Sequence, residues 1–356
     1  MSERCDPGRL PAEQLLGRPE VELPLERAVA ALRGRRVLVT GAGGSVGSAL
    51  AARLLALEPA ALLLLDSHEA SLFQLQRHLR PARPTPTLLL GDVRNRAKLQ
   101  TVFHQHQPEI VFHLAAYKHV HFGETQPDES IAVNVLATDA LAELAVQHDV
   151  VALVYTSSDK AVQPSGAYGA TKRLAELVVQ ARGRGARGRF VVVRFVNVLG
   201  TRGSVIETWC EQLAAGQPVT ITDPAMTRYW MSMAEATALL LAAAGLGDNG
   251  SILLLDVGAP VPVVTLAERL CALLGRGAPA LEVVGRRPGE RLAEALVSPH
   301  ERLVPGPLPQ TWRVARDDAE APLRVLPAAL AALRGALDAT GPELASRLVA
   351  LARELP

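Results

Sequence analysis

Neither sign of charge predominates in this chain of 356 residues: 37 Lys and Arg stand against 36 Asp and Glu, a formal net charge of +1. That balance removes the electrostatic reason to expect a nucleic-acid or membrane-surface partner. Cysteine is scarce as well. Cys5, Cys210 and Cys271 lie far apart without metal-ligand spacing, so a reducing compartment is expected rather than a disulfide framework. His119 and His121, or His104 and His106, lack a third ligand, and no metal site is expected. No apolar segment of signal-peptide type follows Glu3 and Arg4. No run approaches the ~18 apolar residues of a membrane span. Repeats and low-complexity tracts are absent too. The expectation is a soluble cytoplasmic protein, long enough for one large domain or two modest ones.

What the chain has is alternation. Short apolar runs at Val37–Thr40, Ala61–Asp66, Thr87–Gly91, Ile110–His113, Val151–Thr156 and Phe190–Phe195 are separated by helical patterns such as Ser45–Leu57, Ala70–Leu79 and Ser130–Gln147. Strands alternating with helices predict parallel βαβ units. Strands apolar on nearly every residue predict burial on both faces. The fold class expected is α/β, a doubly wound parallel sheet. After residues 1–34, a leader with a short helix over Leu25–Leu32, the dinucleotide-binding domain is expected to span 35–200. Residues 201–316, with strands at Val219–Thr222, Ser251–Asp256 and Leu281–Val284, predict a smaller substrate lobe interleaved with the sheet edge. The tail, 317–356, predicts two amphipathic helices broken near Gly341–Pro342, packed on the body or on a second subunit.

Thr40–Gly41–Ala42–Gly43–Gly44–Ser45–Val46–Gly47 follows the first apolar run and opens a helical pattern. Gly41 suits the tight turn, Gly44 a close approach to a pyrophosphate, and Gly47 close packing of helix on strand. The helix N-terminus beyond favours an anion. Asp66 ends the next strand about 20 residues on, where a carboxylate bonds the adenosine ribose and repels a 2′-phosphate. NAD is therefore expected over NADP. Asp92 and Val93, after the third strand, are placed near the adenine.

Ser158 ends another predicted strand, and Tyr168 and Lys172 lie four apart on one helical face. A nearby ammonium is expected to lower the Tyr168 pKa, so that Tyr168 takes a hydroxyl proton while Ser158 bonds the reacting oxygen. Asp159 and Lys160, an extra acid and amine beside them, point to a second round of proton chemistry.

Thr40–Gly47, His113–Val120, Ser157–Val162, Gly169–Arg173, Arg194–Ser204, Met226–Tyr229 and Arg287–Glu290 together resemble the extended short-chain dehydrogenase/reductases. The group they are most similar to is the polysaccharide-biosynthesis nucleotide-sugar dehydratases typified by UDP-N-acetylglucosamine 4,6-dehydratase. The similarity covers roughly residues 15 to 300. Leu15–Arg18 resembles the linker to a membrane region in longer members, and a stand-alone soluble form is expected. The resemblance implies transient oxidation at sugar C4, elimination across C5 and C6, and return of the hydride from the reduced cofactor to C6, which regenerates a tightly bound NAD, with C5 retained or inverted. It implies that Tyr168 removes the 4-hydroxyl proton, Lys160 is the base at C5 and Asp159 the acid at the departing 6-oxygen. Ala115 and Ala116 would face the cofactor. Asn197, Arg228, Arg287 and Glu290 would grip the nucleotide, Lys118 and His119 line the sugar side, and Asn134 supports the backbone near Lys172. A homo-oligomer, dimer or higher, is implied, pairing through the helix of Tyr168 and the helix before it. The chain departs from the pattern at His121 and Phe122, which bear on the sugar accepted. An epimerase or net dehydrogenase, loss of another leaving group such as phosphate, and a silent NAD-binding protein stay open.

Overall fold

The apolar runs become strands because an alternating βαβ chain can cover both of their faces. In the computed structural model these are β1 (Arg36–Thr40), β2 (Ala61–Asp66), β3 (Thr87–Leu90), β4 (Ile110–His113), β5 (Ala152–Ser158) and β6 (Arg189–Phe195). They pair in parallel in the order β6–β5–β4–β1–β2–β3. The structure describes residues 8, 10–80, 85–318, 320–339 and 341–354. Cys5 and the expected tail ends, Ala319 and Leu355, lie outside these.

Helices α1 (Ala12–Leu16) and α2 (Glu26–Leu32) precede the sheet, and α3 (Ser45–Leu55), α4 (Glu69–His78) and α5 (Arg96–His106) cross between its first strands. Between β4 and β5 run α6 (Val120–Thr125), α7 (Pro127–Ile131), a π-helical turn (Ala132–Leu136) and α8 (Ala137–Gln147). A 3-10 turn (Asp159–Ala161) and α9 (Ala167–Gly183) follow β5. Beyond β6 come β7 (Asn197–Val198), α10 (Val205–Ala214), β8 (Val219–Ile221), β9 (Thr227–Arg228), β10 (Trp230–Met231) and α11 (Met233–Leu246). Then follow β11 (Ile252–Leu255), β12 (Val261–Pro262), α12 (Val263–Leu273), β13 (Leu281–Val283), β14 (Glu301–Pro305), β15 (Thr311–Arg316), α13 (Ala321–Gly335) and α14 (Pro342–Glu354). No helix among the described residues is long and apolar enough to cross a membrane.

The run at 251–256 joins the main sheet rather than the smaller lobe. Ile252–Leu255 is buried at every position, and β11 extends the sheet in parallel beside β6. The hairpin β14–β15 then adds two antiparallel strands, for nine in all. The leader is clamped down as well. Leu15 and Leu16 are buried against α12 residues, and Arg18 bonds the buried carboxylate of Glu235 at 2.6 Å, which also caps α11.

The outer face of α9, expected to meet a second subunit, is covered by the chain itself. Leu174, Leu177 and Val178 pack with Leu326, Leu330 and Leu333 of α13 and Leu344 and Leu348 of α14.

Beneath α9 a buried ion network ties four elements together. Arg194 of β6 bonds Glu176 of α9 at 2.8 and 3.0 Å and Glu301 of β14 at 3.0 Å. Arg316 of β15 bonds Glu301 at 2.9 Å. Burial raises the pKa of the Glu301 carboxyl, but Arg194, Arg316 and Arg173 outweigh it and hold it well below the usual range. A carboxylate depressed on folding stabilises in full above its unfolded value, about 4.3, and loses that contribution as pH falls toward the folded value. Urea midpoints should therefore fall more steeply on the acid side in the wild type than in Glu301→Gln.

Candidate active site

The strand order reverses beside β1, whose neighbours are β2 and β4, and the crevice outside the carboxyl ends of such strands is where ligands of open α/β sheets bind. There lies a cavity of about 1440 Å³. The glycine loop forms one wall through Gly41, Gly44, Ser45, Val46 and Gly47. Gly41 has φ +68°, and a Cβ there would stand 2.6 Å from the Ala115 nitrogen; a Cβ on Gly47 would stand 2.2 Å from the Gly41 oxygen. The loop therefore turns and packs only with these residues. The opening N–H groups of α3 lack an acceptor one turn back, and their residues face the cavity. This donor set and cradle fit the diphosphate of a dinucleotide. Gly47→Ala should destabilise the protein by about 1–3 kcal/mol through overpacking and weaken dinucleotide binding, read by thermal melting and fluorescence titration.

Asp66 ends β2 as expected, and its carboxylate accepts from Gly43 N at 2.8 Å and His68 N at 2.9 Å. It shapes the loop. Asp92 accepts at Oδ2 from Arg94, at 2.7 and 3.0 Å, and like Asp66 it is not among the residues that line the cavity. The hydrogen bond from Arg94 holds its pKa down against the effect of burial. Val93 is core. Ala116 lines the cavity, while Ala115 backs Gly41.

Ser158, Lys160, Tyr168 and Lys172 line the same cavity. Helix α9 carries Tyr168 one residue past its start, and Glu124 of α6 caps that start by accepting from Ala167 N at 2.7 Å. Asn134, in the π-helical turn, bonds both backbone groups of Tyr117 and the Thr171 hydroxyl, next to Lys172.

The electrostatics of the tyrosine reverse the expectation. Burial, and then the negative charge of Asp159, raise the Tyr168 pKa above the ordinary phenol value, and a hydrogen bond with Ser158 only partly offsets them. Burial lowers the Lys172 pKa to about 7, against the pull of Glu176. Its Nζ donates to the Thr156 carbonyl at 2.9 Å and stands 4.8 Å from the Tyr155 ring centroid. The ammonium is thus directed at the end of β5, and the charge that acts on Tyr168 is the carboxylate.

Asp159 also differs from its expected pose. Its side chain is 0% exposed and lies behind the wall: Oδ1 accepts from the Ser158 hydroxyl at 2.9 Å and from Lys160 Nζ at 3.0 Å. Its Oδ2 is buried without a hydrogen-bond partner among the described residues.

Of the residues expected to hold substrate, Lys118, His119, Asn197, Arg287 and Glu290 line the cavity. Asn197 also accepts from Lys160 Nζ at 3.4 Å. Arg228 does not line it. Its guanidinium is buried and spends its donors on the carbonyls of Thr227, Arg291 and Leu292, so it braces the segment that carries Arg287 and Glu290. His121 and Phe122 reach the cavity from α6 rather than from a loop.

Three residues were not singled out from the sequence. Arg202 crosses to the glycine loop, bonding the Gly43 carbonyl and Ser71 Oγ. Arg291 bonds the carbonyls of Val162 and Gln163. Glu294 lies 3.9 Å from Lys160 Nζ. All sit in or beside quoted motif blocks, which is the only signal the sequence holds for them.

A family profile described as polysaccharide biosynthesis protein matches residues 37–315. EpsC of Bacillus subtilis, a probable polysaccharide biosynthesis protein, is 40% identical over 295 residues, 82% of this chain and 49% of that protein. The capsular polysaccharide biosynthesis protein CapD of Staphylococcus aureus is 40% identical over 299 residues, 82% of this chain and 50% of that one. The chain spans about half the length of these two relatives. A UDP-glucose 4-epimerase of Rickettsia rickettsii is 32% identical, covering 80% of this chain and 83% of the epimerase. Among solved structures, Pen from Bacillus thuringiensis superposes with a TM-score of 0.75 at 28% identity, covering 81% of this chain and 89% of that one. DesIV, a dTDP-glucose 4,6-dehydratase from Streptomyces venezuelae with NAD and TYD bound, shares the fold, with a TM-score of 0.65 at 23% identity over 73% and 88% of the two chains. With a profile that matches residues 37–315 and two relatives 40% identical over 82% of its length, the chain belongs to the polysaccharide biosynthesis protein family of extended short-chain dehydrogenase/reductases.

Proposed function

We propose that the chain is an NAD-dependent dehydratase acting on a nucleotide-linked sugar, of the UDP-N-acetylglucosamine 4,6-dehydratase kind. The observation that carries the reading is the Lys160–Asp159 pair, bonded at 3.0 Å, with Lys160 lining the same cavity as Tyr168. Oxidation at one carbon needs only Ser158, Tyr168 and Lys172. An additional amine and carboxyl at that cavity supply what an elimination requires: one proton removed and one delivered.

The glycine loop and the start of α3 would hold the diphosphate, Asp66 the adenosine ribose, and Tyr168 and Lys172 the nicotinamide ribose. NAD bound there supplies reversible two-electron acceptance. With Asp159 carrying the proton it later delivers, the neighbouring charge that raises the Tyr168 pKa is removed, and Tyr168 takes the proton of the 4-hydroxyl, with Ser158 orienting that oxygen. The C5 hydrogen, acidified by the carbonyl at C4, goes to Lys160 as a proton. The 6-oxygen leaves as water with a proton that Asp159 passes through the Ser158 hydroxyl or Lys160. Arg287 and Glu290 suit the nucleotide, since a guanidinium bonds phosphate oxygens in pairs.

A second reading, 4-epimerase, is favoured by the Rickettsia relative. Mass spectrometry of products from UDP-N-acetylglucosamine and a panel of sugar nucleotides separates the two. A product lighter by one water is expected; a product of unchanged mass favours the epimerase.

A further inference from the structure

Behind the catalytic wall lies a carboxylate that the proposed reaction does not use. Glu294 follows β13 on the segment that also carries Arg287 and Glu290, and its side chain is only 4% exposed. Its Oε1 stands 3.9 Å from Lys160 Nζ and 4.0 Å from an Arg228 guanidinium nitrogen. Arg228 in turn bonds the carbonyls of Arg291 and Leu292, which lead to Glu294. A carboxylate with so little exposure is costly unless a specific charge holds it. Lys160 therefore has three acceptors around it: Asp159 at 3.0 Å, Asn197 at 3.4 Å and Glu294.

We propose that Glu294 is a positioning residue for Lys160, a buried carboxylate that aims the amine and ties it to the nucleotide-facing segment Arg287–Glu290. This rests on the elimination reading, in which Lys160 is the base. Asp159 follows β5 and Asn197 lies on β7, whereas Glu294 belongs to the segment after β13. Engagement of the nucleotide by Arg287 and Glu290 thus fixes the same stretch of backbone that fixes Lys160. The charged groups acting on Glu294 are Lys160, Asp159, Arg228 and Arg291; burial raises its pKa, Asp159 adds to this, and the three cations oppose it.

Two arms test the proposal. In the first, carboxyl-labelled glutamate NMR follows the titration of Glu294, assigned by its absence in Glu294→Gln, in the wild type and in Lys160→Gln. Loss of the lysine charge should move the Glu294 midpoint to higher pH; an unmoved midpoint overturns the pairing. This arm needs no substrate. In the second, turnover of UDP-N-acetylglucosamine is compared among wild type, Glu294→Gln, Glu294→Asp and Lys160→Gln. Glu294→Gln should lose about 10²-fold in kcat, the cost of a misaimed group, with KM changed less than about twofold, and Glu294→Asp should recover part of the loss. If Lys160→Gln abolishes elimination while Glu294→Gln matches the wild type, the positioning role alone is wrong. If Lys160→Gln eliminates at the wild-type rate, the elimination reading falls and the proposal with it.

Discussion

Lys160→Gln is expected to lose elimination by about 10²–10⁴-fold, the contribution of a positioned base, while oxidation at C4 persists. Glutamine keeps a donor for Asp159, whose Oδ1 is bonded by Lys160 Nζ and Ser158 Oγ, so the buried carboxylate stays partnered. Tyr168, Ser158 and Lys172, to which the proposed reaction assigns the C4 hydroxyl, are untouched. The variant should therefore accumulate reduced nicotinamide on mixing with a sugar nucleotide, because the oxidised sugar cannot proceed. Stopped-flow absorbance and product mass check this together. A dehydrogenase without an elimination step would show no difference between the variant and the wild type in either signal.

Arg194→Met is expected to destabilise the fold by about 3–5 kcal/mol, the usual result of removing one partner from a buried ion group. Arg194 is 1% exposed, and Glu176 and Glu301 are nearly as buried, at 0% and 3%. Methionine would fill much of the space, so the loss is electrostatic rather than a cavity. Glu176 would keep only the longer approaches of Arg173 at 3.7 Å and Arg316 at 3.8 Å. The variant's Tm should drop sharply, and the drop should shrink at acid pH, where protonation of the two glutamates relieves them. An equal loss at every pH would show that packing, not charge, holds β6, α9 and β14 together.

The sheet was legible because its strands are read from continuous apolar runs, which Leu62–Leu65 and Phe190–Val193 display plainly. The hairpin β14–β15 was not. Arg302, Arg313 and Arg316 interrupt it, and their charges are tolerated at an edge and in the ion network. The glycine loop was legible because Gly41 and Gly47 are required by space and φ, which sequence spacing encodes. Side-chain direction is not encoded in that way. Arg228 carries the fork expected of a phosphate ligand, yet a guanidinium serves carbonyls equally well. Asp159 sits at the right position but faces inward, and that orientation sets the charge felt by Tyr168. The cover of α9 was left open by the sequence: the tail reads as amphipathic helices for the body or for a second subunit, and the apolar contacts put α13 and α14 on α9.

The account turns on an elimination whose redox step is repaid within one turnover. UDP-N-acetylglucosamine carrying deuterium at C4 tests it most directly. The predicted product has lost water and carries the label at C6, with no lasting pool of reduced nicotinamide. Label retained at C4 of a product of unchanged composition, or reduced nicotinamide formed in step with product, would contradict it.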